Sequence, residues 1–133
     1  GDRMPAHVAR FLCEQATIQR VIMAGSHVLD LGRSVRYATE AQYRALVARD
    51  GGCRVDGCNI PPEWCDVDHL IAWEDGGTSD LCNLGLWCRF HHKLKHSPGV
   101  KVLGDINNLR LQLADGTIIN CPPKRRTRQQ AAA

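Results

Sequence analysis

The spacing of thiols and imidazoles between Cys53 and His96 constrains this chain more than any other feature. Cys53 and Cys58 stand as C-x4-C, and Cys88 and His91 as C-x2-H. Three thiolates and one imidazole in two close pairs make the donor set of a closed tetrahedral zinc site. Such a site adds folding free energy where the core is small. Cys65 and Cys82 compete with these four, and either could replace one of them. Aromatic residues are only 5% of the chain, so the core is expected to be aliphatic or partly replaced by metal. Seven cysteines would leave one over in a fully paired disulfide framework. With Cys-x-x-His among them, metal binding in a reducing cytoplasm is the better use of these thiols. No apolar run of about 18 residues and no charged-then-apolar leader is visible.

A second set is interleaved with the first: Asp68, His69, Asn83, His92 and His96. A helix is expected from Cys88 to the Ser97-Pro98-Gly99 stop. At about 100° per residue, His91 shares the sector of Cys88, while His92 and His96 share the next. Arg89 and Lys93 lie beyond them, and Trp87, Phe90 and Leu94 are expected to face the core. Asp68, His92 and His96 then make a three-ligand site with room for water and a phosphate oxygen. A second structural zinc site with Cys65 or Cys82 is the alternative use of these three, disfavoured once His69 and Asn83 are taken with them. Asp66 and Asp68 are the only carboxylates placed to bridge two ions, so a two-metal arrangement is not expected. His69 is left free to take a proton near neutral pH, provided the strand ends or twists there, since strand neighbours point to opposite faces. Asn83 is expected to tie the loop that aims His69.

The net charge is only +3, but its distribution is uneven. No acid occurs from Asn83 to Gly104, where Arg89, Lys93, Lys95 and Lys101 stand, and this stretch is expected to attract phosphates. Lys124, Arg125, Arg126 and Arg128 form a second basic cluster.

The fold expectation is α+β. Residues 1–50 read as a helix–hairpin–helix packing arm without chemistry. It comprises a helix over Pro5–Gln15, strands over Thr17–Met23 and His27–Leu31, and a helix opened by a Thr39/Gln42 capping box and closed by Gly51-Gly52. Residues 51–98 carry strands over Trp64–Ile71 and Leu84–Trp87, then the histidine-rich helix. Residues 99–133 read as a small antiparallel extension (Val100–Leu103, Leu109–Leu113, Thr117–Ile119) with turns at Asn107-Asn108 and Asp115-Gly116. A disordered basic end is expected from Pro122-Pro123 onward.

Asp68-His69, Asn83 and His92 in this order, between C-x4-C and C-R-F-H-H, resemble the HNH endonuclease motif. The likeness is to the actinobacterial and phage type in which this module follows a domain of unknown function. It runs from about Arg49 to His96, and the chain is expected to be a C-terminal piece of a longer protein. The resemblance implies a ββα-metal core with a structural zinc knuckle and metal-dependent hydrolysis of DNA phosphodiesters. His69 would be the general base, Asp68 and His92 the holders of one divalent ion with His96 as third ligand, and Asn83 the residue orienting the His69 loop. Arg89, Lys93 and Lys95 would hold backbone phosphates. Many relatives carry His where Asp68 stands, and the carboxylate makes Mg2+ or Mn2+ the favoured catalytic ion, with Ni2+ and Zn2+ as alternatives. The competing expectation is a zinc-stabilised nucleic-acid-binding or protein-interaction module without catalysis.

Overall fold

A computed structural model describes residues 29–124. The expected Pro5–Gln15 helix, the Thr17–Met23 strand, and Arg125, Arg126 and Arg128 lie outside them. The described residues form a small α+β fold with two helices and two antiparallel sheets. Helix α1 spans Glu40–Asp50. Its capping box is formed, with Thr39 Oγ1 accepting from the Gln42 N–H and Gln42 Oε1 accepting from the Thr39 N–H. Gly51, in the left-handed region at φ 70°, ends it. Strands β1 (Cys65–His69) and β2 (Leu84–Cys88) pair antiparallel, with Cys65 opposite Cys88 and His69 opposite Leu84. Helix α2 (Arg89–Lys95) follows β2 directly, and Cys88 is its N-cap through Sγ. A three-stranded meander of β3 (Lys101–Leu103), β4 (Arg110–Gln112) and β5 (Ile118–Asn120) completes the chain. The Asp105 and Asp115 side chains accept backbone N–H groups in its two turns.

All five residues of β2 are buried, because a core lies on each of its faces. Leu84 and Leu86 pack with Leu29, Leu46 and Leu81. Trp87 and Cys88 pack with Cys53, Val55, Leu109, Leu111 and Cys121. The edge of β2 away from β1 is also occupied, since the Leu86 carbonyl accepts from the Arg54 N–H and the Leu86 N–H donates to Asp50 Oδ2. Asp50 and Arg54 are both fully buried. The Arg54 guanidinium donates to Asp50 Oδ1 and to the carbonyls of Cys121 and Ile106. This buried pair joins α1, the Cys53–Cys58 turn, β2 and the meander.

Several expectations are corrected. Leu29–Leu31 is not a strand. Instead it lies along the loop after β1, where Leu31 N–H donates to the Ser79 carbonyl. Phe90 is 71% exposed rather than in the core, because α2 turns His91 toward Cys53 and His92, Lys95 and His96 toward β1, which leaves Phe90 on the opposite side. Pro122 to Lys124 are placed rather than disordered, with Lys124 N–H donating to the Asp50 carbonyl. No helix among the described residues is long and apolar enough to cross a membrane.

Candidate metal centres

Cys53 and Cys58 sit on a turn in which the Cys58 N–H donates to the Val55 carbonyl. Cys88 and His91 sit one turn apart at the start of α2. The four come together, with ligand atoms within 4.8 Å of one another. Cys88 Sγ lies 3.2 Å from His91 Nδ1, Cys53 Sγ 3.5 Å from the same nitrogen, and Cys58 Sγ 4.0 Å from Cys88 Sγ. Tetrahedral Zn–S and Zn–N bonds of about 2.3 and 2.1 Å demand edges of about 3.5–3.8 Å, so the set fits one zinc ion. Burial, reinforced by the neighbouring Cys58 and Cys88, pushes the Cys53 thiol up to about 12. That thiol therefore needs a cation beside it to ionise. Burial lowers the His91 pKa, with Lys124 adding to the shift, and so favours the neutral, ligating form. Neither Cys65 nor Cys82 joins this set. The Cys65 thiol turns to the Pro61 carbonyl at 3.3 Å, and Cys82 is buried against Ile106 and Leu70.

Asp68, His92 and His96 form the second group, again within 4.8 Å. Asp68 Oδ2 is the common point, 2.6 Å from His96 Nε2 and 3.4 Å from His92 Nε2. The other ring nitrogen of His92 lies 3.1 Å from Asp66 Oδ2. A carboxylate only accepts, so a hydrogen on His92 Nδ1 would go to Asp66, and Nε2 would then be the nitrogen able to ligate an ion placed between it and Asp68. Asp66 thus lies behind His92 rather than among the three clustered groups.

The placing of Lys95 is a second correction. Its ammonium is buried, donating to Asp68 Oδ2 at 2.7 Å and to the His69 carbonyl at 2.8 Å, so it does not offer itself to a phosphate at the surface. Arg89 and Lys93 are exposed on α2. Burial opposes charge on Asp68, but Lys95 and His96 outweigh it and hold the carboxyl below its usual range.

His69 is the last residue of β1. Its Nε2 lies 3.0 Å from Ser79 Oγ, and its ring meets Trp73 at 5.9 Å. Burial, opposed by Asp68 and assisted by Lys95 and Arg36, holds its pKa below the ordinary value. The loop from Leu70 to Asn83 is tied as expected. Asn83 Oδ1 accepts from the Ile71 N–H, and Nδ2 donates to the Ile71 and Thr78 carbonyls.

Residues ahead of α1, read in the sequence as packing only, also reach this loop. Arg33 donates to the Trp73 and Gly77 carbonyls and lies over the Trp73 ring, and Arg36 pairs with Glu74. Gln42 Nε2 donates to the Ser79 carbonyl. The sequence carries no signal for these contacts beyond two arginines ahead of a capped helix.

No family profile matches the chain, and no solved structure matches it. An uncharacterized protein of Mycobacterium tuberculosis is 37% identical over 130 residues, which are 96% of this chain and 21% of that protein. A second is 32% identical over 94 residues, 71% of this chain and 21% of its own length. A third is 37% identical over 103 residues, 76% and 18% respectively. The chain thus spans about a fifth of the length of the curated relatives it matches.

Proposed function

We propose that this chain is an HNH-type nuclease module that hydrolyses DNA phosphodiesters with one divalent ion. The reading is carried by one arrangement: the Asp68/His92/His96 group lies across β1 and α2, and His69 ends the same strand. A merely structural zinc knuckle has no use for that second group, nor for a loop tied by Asn83 so that His69 is held at its root.

Asp68, His92 and His96 would hold the ion, with Mg2+ or Mn2+ favoured by the carboxylate. When bound, it would offset negative charge developing on the phosphoryl and leaving 3′ oxygens. His69 would accept the proton of the attacking water, and its lowered pKa keeps it unprotonated at neutral pH. Asp66 would keep His92 in its ligating tautomer. Lys95 would hold Asp68 and the His69 backbone in fixed relation. Arg89 and Lys93 would contact backbone phosphates without reading sequence.

The test is cleavage of supercoiled plasmid by EDTA-stripped protein, re-supplied with Mg2+, Mn2+, Ni2+ or Zn2+ in turn, while bound zinc is counted. Nicking restored by an added ion, with about one zinc retained and activity abolished in His69→Ala, is the expected result. One retained zinc with no cutting under any ion overturns it. That result would favour a non-catalytic interaction module, for which the exposed Trp64 and Phe90, the latter edge-on to His91, are the supporting observation.

A further inference from the structure

Ser79 is fully buried, and each of its polar groups is engaged by residues near or beyond the loop it sits in. Its N–H donates to the Gly32 carbonyl at 2.8 Å. Its own carbonyl accepts from Gln42 Nε2 at 2.6 Å. Its hydroxyl oxygen lies 3.0 Å from the Arg36 carbonyl oxygen and 3.0 Å from His69 Nε2. A hydroxyl has one hydrogen to donate, and a carbonyl oxygen can only accept. The hydrogen given to Arg36 is therefore not available to His69, and the remaining contact requires His69 Nε2 to donate to Ser79 Oγ.

We infer that Ser79 is a positioning residue that holds His69 as its Nε2–H tautomer and leaves the lone pair on Nδ1. The assignment gains weight from how little freedom the serine has. Backbone bonds on both sides of its Cα fix the hydroxyl relative to Arg36, and Gln42 is itself held by the capping box. The orientation of His69 is thus set from Gly32, Arg36 and Gln42, upstream of the cysteine-histidine stretch.

The catalytic meaning rests on the nuclease reading. In it, Nδ1 takes the proton that water loses as its oxygen bonds to phosphorus. The bond to the 3′ oxygen breaks, that oxygen takes a proton from solvent, and Nε2–H stays on Ser79 throughout.

The test is long-range proton–nitrogen correlation NMR on the zinc-loaded chain with labelled histidine, at a pH where imidazole is neutral. His69 is assigned by the loss of its signals in His69→Gln. The expected spectrum has a protonated, exchange-protected Nε2 and an unprotonated Nδ1. A protonated Nδ1 overturns the inference whether or not the protein cuts DNA. In Ser79→Ala the exchange protection should vanish, and kcat should fall about 10- to 100-fold, the effect usual for groups that orient a histidine through its second nitrogen. KM and zinc content should hold, and Ser79→Thr should restore both spectrum and rate. Unchanged protection in Ser79→Ala also overturns the inference. A wild-type protein with the expected spectrum but no cleavage would defeat the nuclease reading and leave the role of Ser79 standing.

Discussion

Replacing Asp50 by Asn should destabilise the fold by about 3–5 kcal/mol. The carboxylate is wholly buried and accepts four hydrogen bonds. Oδ1 takes Arg49 Nε at 2.6 Å and Arg54 Nη1 at 3.1 Å, while Oδ2 takes Arg49 Nη2 at 3.0 Å and the Leu86 N–H at 3.1 Å. Asparagine keeps one acceptor oxygen and turns an NH2 toward donors at the other position. Two bonds are lost, at least one of them charge-assisted, and two guanidiniums lose their counter-charge. At about 1.5–3 kcal/mol per charged bond, the loss is a large share of the about 5–15 kcal/mol that holds a domain folded. Urea unfolding of the zinc-saturated protein, followed by tryptophan fluorescence, reads it as a fall in midpoint at constant slope. The exposed Glu40–Arg44 pair is the control, and Glu40→Gln should change stability by less than about 0.5 kcal/mol. A loss below about 1 kcal/mol for Asp50→Asn would refute the claim that this carboxylate joins α1 to β2.

Removing the retained structural zinc as well, by prolonged dialysis against excess chelator beyond the EDTA treatment that empties the second site, should unfold the chain, since structural zinc is worth about 10 kcal/mol or more. Far-UV circular dichroism retained once the protein is shown to hold no zinc would contradict this. Because burial lowers the His69 pKa in the folded state, the unfolded chain binds that proton first. The stability due to neutral His69 is therefore present above the ordinary histidine value of about 6.5 and is lost as pH falls through the lowered folded value. Cleavage should likewise stay level across neutral pH and drop only on further acidification, and a rate that already falls between about pH 8 and 7 would contradict the assignment of the base. Gly77→Ala should abolish cleavage while zinc content holds, because a Cβ there would run into the Ile71 carbonyl; wild-type rates in that variant would show that the loop need not keep this shape.

Features set by local rules were legible in the sequence. The Thr39/Gln42 box, the Gly51 stop, the two cysteine-histidine pairs and the meander turns depend on neighbours a few residues apart. Lys95 departs from its expected place because a stretch without acids in sequence still meets Asp68 in the fold. The helical angle applied to it, about 340° from Cys88, would have set it on the inward side with Cys88 and His91. Phe90, at about 200°, lies opposite that side and is exposed. The Asp50–Arg54 pair and the hold of Ser79 on His69 had no such signal. Asp50 and Arg54 are neighbours four residues apart, but their burial depends on Leu86, Ile106 and Cys121 far along the chain. That of Ser79 likewise depends on Gly32, Arg36 and Gln42. A lone Arg between two cysteines or a Ser in a polar loop reads as solvent-facing.

The hairpin also bears on how the protein avoids its own aggregation. Strand β2 has both edges taken, but among the described residues β1 is paired on one side only. An unpaired edge is a template for another chain, and natural sheets defend it with charge. Here Asp66 and Asp68 supply that charge at alternate positions of β1. The residues that orient and hold an ion would thus also keep a second molecule from adding a strand. A variant stripped of both carboxylates for mechanistic work should self-associate as well as lose metal, and light scattering on the purified protein would detect it.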